Sequence, residues 1–94
     1  MVYVKNLHQA DAKIPGGALN AWKDHKGIGL KENIICVRCK KNIARHGGHV
    51  IKSSPDADKK RYIVPLCVQC NEAKDDKPFS VRNDDLVWIG ELKP

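Results

Sequence analysis

Two pairs of cysteines, Cys36-Val37-Arg38-Cys39 and Cys67-Val68-Gln69-Cys70, stand 27 residues apart and constrain this chain more than any other feature. A Cys-x-x-Cys pair turns the backbone into a tight knuckle presenting two sulfurs. Two knuckles a few tens of residues apart close on one tetrahedral ion. The expectation is one structural zinc held by Cys36, Cys39, Cys67 and Cys70. Disulfides are the competing use of paired cysteines, but they need an oxidising compartment. The opening Met1-Val2-Tyr3-Val4-Lys5 lacks the apolar stretch of a secretory leader, so a cytoplasmic address is expected. A redox pair of the thioredoxin kind needs no second copy. Arg38, Lys40, Lys41 and Lys74 lie beside the cysteines and would offset the negative charge of four thiolates around a divalent ion.

Such a clamp answers a shortage elsewhere. In 94 residues only five are aromatic and hydrophobic types make up 41%, so the core must be small. A chain of this length is near the lower end of what folds on apolar burial alone. A structural zinc supplies an apparent ~10 to 16 kcal/mol towards folding. No apolar run approaches the ~18 residues of a spanning helix, so no membrane partner is expected.

The remaining segments can be read around the knuckles. Val2 to Leu7 reads as a strand and Pro15-Gly16-Gly17 as a break. Ala18 to Lys26 reads as a helix, with Leu19 and Trp22 on one face, Gly27 at its stop, and Ile28 and Leu30 folding back to cover it. Gly47-Gly48 introduces a strand at His49 to Lys52, Ser53 to Asp58 forms a loop, and Arg61 to Val64 returns into the second knuckle through Pro65-Leu66. A short helix is expected from Val68 to about Lys74, stopping before Pro78. Phe79 to Val81 and Leu86 to Ile89 read as a last pair of small strands. The expected fold is a single α+β domain: residues 1–33 an N-terminal strand and helix extension, 34–75 a zinc core, 76–94 a C-terminal strand segment.

Knuckle, hairpin, knuckle, helix is the layout of a treble-clef zinc finger. The segments Gly48-His49-Val50-Ile51 and Tyr62-Ile63-Val64-Pro65-Leu66-Cys67-Val68-Gln69-Cys70-Asn71 resemble the core of the zinc-stabilised HNH nuclease superfamily, in particular small bacterial and phage-type members. The resemblance covers roughly residues 34–74. It implies that His49 polarises the water attacking a phosphodiester, a role suited to an imidazole neutral at working pH. It also implies a catalytic magnesium or manganese ion with Asn71 as a ligand. The family's other metal ligand falls on Gly48, which has no side chain, and its histidine-orienting asparagine falls on Tyr62. His46, Asp56 and Asp58 are candidates to fill the gap, His46 if the two glycines bend the chain, and Tyr62 is a candidate hydrogen-bond partner for His49.

Charge points the same way. The chain carries +6 overall, and residues 36–62 alone hold eight basic and two acidic residues, a net of +6. Arg38, Lys40, Lys41, Arg45, Lys52, Lys59, Lys60 and Arg61 are expected on neighbouring surfaces facing a polyanion, chiefly through phosphate contacts. Asp75-Asp76 and Asp84-Asp85 read as solvated turns, and Trp88 as core or a subunit contact. The reading is a zinc-stabilised HNH-like domain that binds nucleic acid, with duplex DNA the expected partner. An active metal-dependent endonuclease is the alternative, and a protein-protein interaction module the third.

Overall fold

The computed structural model describes residues 1–7, 17–54, 58–73 and 77–91. Expectations resting on Pro15, Gly16, Pro55, Asp56, Ala57, Lys74, Asp75 and Asp76 lie outside them. The fold is α+β, built on one antiparallel sheet and two short α-helices. The strands are β1 (Val2–Asn6), β2 (His46–Lys52), β3 (Tyr62–Leu66), β4 (Phe79–Val81) and β5 (Val87–Trp88), and the helices α1 (Ala18–His25) and α2 (Val68–Glu72). No described helix is long and apolar enough to cross a membrane.

The strand order is β4-β1-β2-β3-β5. The two small C-terminal strands, expected as a pair, therefore part company: β4 joins β1 through Val4↔Phe79, and β5 joins β3 through Tyr62↔Trp88. The turn Asn83–Asp85 carries the chain between the two edges. Within it Asp85 accepts the Arg82 backbone N–H at 3.0 Å and pairs with its guanidinium at 3.2 Å. The segment Val2–Asn6 sits inside the sheet, between β4 and β2.

Both faces of the sheet are covered, and the period-two alternation of each strand decides what covers them. Val4, Val50, Tyr62, Val64, Leu66, Phe79 and Val81 pack on one face against Cys36 and Cys67. Ile63 and Val87 pack on the other against Trp22 of α1, with Ala18, Ile28, Ile34 and Ile89 around them. Leu30, expected over the helix, is exposed instead, and Ile28 does the covering. Helix α1 stops at Gly27, whose φ of 72° suits a residue without Cβ. The buried Lys23 ammonium donates to the carbonyls of Leu30 (3.1 Å) and Glu32 (2.7 Å), closing the loop that follows. The Trp22 indole N–H donates to the Asp85 carbonyl at 2.9 Å, tying the helix to the C-terminal turn.

The Gly47-Gly48 pair does not precede the strand; it lies within it, and each glycine serves a different face. A Cβ on Gly47 would stand 2.6 Å from the Ala18 Cβ and the Leu19 nitrogen, so α1 crosses directly over it. A Cβ on Gly48 would stand 2.3 Å from Leu66 Cδ1 on the cysteine side. Pro65 is tolerated in β3 because its carbonyl accepts from Val37 N–H at 3.0 Å, and a residue's N and C=O point to the same strand edge. That edge faces the first knuckle rather than β2, so the missing N–H costs the ladder nothing.

Candidate metal centre and the surfaces around it

The ligand-bearing atoms of Cys36, Cys39, Cys67 and Cys70 all lie within 4.8 Å of one another. Cys36 and Cys67 are buried, and Cys39 and Cys70 half-buried. The Cys39 and Cys67 sulfurs are 3.8 Å apart. Four thiolates at about 2.3 Å from a tetrahedral centre would stand roughly 3.8 Å apart, so this cluster can close on one ion with little movement.

Local backbone geometry explains how each pair presents its sulfurs. In the first knuckle Cys36 N–H donates to the Asn42 carbonyl at 2.8 Å and Lys40 N–H to the Cys36 carbonyl at 3.0 Å, and Ile35 bridges Ile43. The turn is completed by Lys40 at φ 61°, a left-handed conformation that favours glycine. In the second, Cys67 caps α2: its sulfur accepts from Cys70 N–H at 3.5 Å. Asn42 joins the two. Its backbone N–H donates to the Cys39 sulfur at 3.5 Å, and its amide reaches the Cys67 sulfur at 3.8 Å and Gln69 Oε1 at 3.4 Å. Asn6 ties β1 to the second knuckle, donating from Nδ2 to the Cys70 carbonyl at 2.9 Å.

These contacts set the sulfur chemistry. Backbone N–H groups of Asn42 and Lys41 bring the Cys39 thiol down to about 6. Burial pushes Cys67 up, but the Cys70 N–H and its other donors leave it below its ordinary value. Burial, with the neighbouring sulfurs behind it, holds Cys70 well above. Four sulfurs this close cannot all ionise without a cation among them. The donor set fits a soft ion that takes tetrahedral sulfur coordination.

The sheet separates the two residues expected to share a catalytic site. Asn71 lies on the cysteine face, its Oδ1 3.1 Å from where a Gly48 Cβ would be. His49 follows Gly48 in β2 and pairs with Ile63, which packs on the α1 face. Its Nε2 is buried with no hydrogen-bond partner among the described residues. Burial, helped by the Arg61 charge, holds the imidazole below its ordinary pKa. His46, three residues earlier in the same strand, is exposed and on the face opposite to His49, because β2 runs straight through the glycines. Tyr62 is on the cysteine face too, and its hydroxyl donates to Asp58 Oδ2 at 2.9 Å, not to His49.

The basic residues divide into two groups. Lys40, Lys41 and Arg45 are exposed at the knuckle end of β2, and Lys59, Lys60 and Arg61 at its far end. The seven residues of β2 hold them roughly 20 Å apart. None of these six has an ion-pair partner among the described residues. The other two serve the fold: Arg38 lies 4.9 Å from the Phe79 ring centroid, and Lys52 lies over Tyr62 and pairs with Asp58 at 3.2 Å. The Asp58 carboxylate, hydrogen-bonded to Lys52, holds that ammonium above its ordinary pKa.

Comparison with family models, with curated proteins and with solved structures finds no match to this chain. Its reading therefore rests on its own residues. Sequence reasoning passed over Asn42, whose one signal is a polar side chain just past the second cysteine, and Asn6. It also set aside Trp88, which is 39% exposed with the Lys60 ammonium 4.4 Å from its ring centroid.

Proposed function

We propose that the ion is zinc, that the cysteine cluster with its hairpin and following helix is an HNH-like treble clef, and that the chain binds nucleic acid through its two basic groups. Zinc suits a closed four-sulfur site, where it is structural rather than catalytic. The observation that carries the binding reading is the exposure of Lys40, Lys41, Arg45, Lys59, Lys60 and Arg61 with no acidic partner among the described residues. Cations so placed gain by neutralising phosphates and releasing their counterions. Duplex DNA is the expected partner, since two patches one strand length apart can grip one backbone at successive points. The reading is of holding rather than cutting, because His49 and Asn71 occupy opposite faces of β2.

The test is duplex affinity against salt. Six phosphate contacts give a slope near −5 in the logarithm of affinity against that of salt, a roughly thousandfold loss between about 50 and 200 mM. Replacing Lys59, Lys60 and Arg61 by glutamine should bring the slope to about half. Affinity indifferent to salt, or absence of binding, refutes the proposal and favours a protein-binding role.

A further inference from the structure

Resting on that nucleic-acid reading, we propose that Trp88 is a stacking platform for an unpaired base, with Lys60 supplying the contact to the flanking phosphate. Trp88 lies in β5, the two-residue strand at one edge of the sheet, and pairs with Tyr62. Its neighbour Val87 turns inward to the α1 face, so alternation turns the indole to the opposite side, where it is 39% exposed. A tryptophan spent on core would not sit so; Trp22, the chain's other one, is 5% exposed and hydrogen-bonded.

The ring is held in place from one side. A Cβ on Gly90 would fall 2.5 Å from the Trp88 Cζ2, so a glycine there lets the backbone support the indole closely. Over the ring lies the Lys60 ammonium, 4.4 Å from the centroid, on an exposed side chain. A cation over an aromatic ring is worth little at an exposed site, and a base can replace it. The displaced ammonium then lies within a side chain's length of the phosphate next to that base. The local charge suits this occupant. Asp58, a described acid of the adjoining loop, is already engaged by the Lys52 ammonium, the Tyr62 hydroxyl and the Lys60 backbone N–H. Lys59 and Arg61 flank Lys60 and add positive charge. An aromatic face beside cations that carry no ion pair among the described residues is the composition of a single-strand site, whereas a duplex keeps its base faces stacked inside.

Tryptophan fluorescence of the zinc-loaded protein reads this site directly, because Trp22 contributes a buried, constant background. A short oligothymidine should quench the emission of the native protein, and a blunt duplex should not. Trp88→Ala should weaken oligothymidine binding by roughly 5- to 150-fold and leave duplex affinity unchanged. Trp88→Phe keeps a ring on the strand edge and should lose less, which covers an alanine variant that folds poorly. Lys60→Gln should keep the quench and reduce the salt slope by about one. Unquenched emission, or equal oligothymidine affinity for the native protein and both Trp88 variants, overturns the platform. If the lysine substitutions still weaken duplex binding in that case, phosphate recognition survives without it. No binding to either nucleic acid overturns both.

Discussion

Gly48 is the position where the resembling family carries a metal ligand, and the structure predicts what restoring a side chain there would do. Gly48→Ala places a carbon 2.3 Å from Leu66 Cδ1 and 3.0 Å from its Cγ, with Asn71 Oδ1 at 3.1 Å. Carbons in contact settle at about 3.5 to 4.0 Å, so the first overlap exceeds 1 Å. Leu66 has no exposed surface into which it could retreat. Overpacking of this kind costs about 1 to 3 kcal/mol. The φ of Gly48 is not in the left-handed region, so alanine recovers about 0.4 to 1 kcal/mol through the unfolded chain. Taken mid-range, about 2 less about 0.7 kcal/mol, the net loss is roughly 1 kcal/mol, a melting point lower by about 4 to 8 °C for a chain of this size. Thermal unfolding with excess zinc measures it. The sharper test is the same substitution in a Leu66→Ala background, where the Leu66 clash is gone and the contact left is with Asn71 Oδ1 at 3.1 Å, the far end of a side chain that can give by a few tenths of an ångström. There Gly48→Ala should be neutral or stabilising. A native-like melting point for the single variant, or an equal loss in both backgrounds, would refute the packing argument.

Three further outcomes follow from contacts described above. Asn42→Ala removes the amide that reaches the Cys67 sulfur, and competition with a chromophoric chelator should show metal affinity weaker by about 10- to 100-fold. Lys40 sits at φ 61°, so Lys40→Gly should be neutral or stabilising in a thermal melt while Lys40→Val should be destabilising by about 1 kcal/mol or more. His49 has a folded-state pKa below that of the unfolded chain, so the unfolded state takes up its proton first as pH falls. The stability that His49 contributes is therefore present above about pH 6.5 and is lost as pH drops through the lower folded value. Denaturant midpoints of native protein and His49→Gln should converge on acidification, and a gap that holds constant would refute the assignment.

What the sequence made legible was local. The cysteine pairs announce their cluster because two knuckles need only short-range turns. Helix α1 and its stop at Gly27 follow from a short apolar pattern and one conformational requirement. The hairpin β2–β3 was visible too, though its start was misplaced: a glycine pair reads as a break, and only the close approach of α1 to Gly47 and of Leu66 to Gly48 explains glycines inside a strand. Pairing between distant segments was not legible. Nothing in Phe79–Val81 or Val87–Trp88 says that the two strands belong to opposite edges, since both are short, apolar and next to each other in the chain. The same blindness affected the expected catalytic pair. His49 and Asn71 look close in a motif, but which face each occupies depends on a register that a shift of one residue would invert. The buried roles of Lys23 and Asp85 were likewise hidden, because charged residues are read as solvated unless their carbonyl and amide partners are known.

The place of β1 in the sheet has a consequence for how the protein is made. Val2 pairs with Val81, so β1, made before the other described strands, waits for β4 before one of its two edges is filled. The knuckles can gather their ion once Cys70 has emerged, but the sheet beside them is still missing β4 and β5. With an ion held by the cysteines, that interval would leave a compact nucleus with an open strand edge, the kind of surface on which nascent chains stick to one another. Metal supply during translation, rather than afterwards, would then govern how much protein is recovered in soluble form.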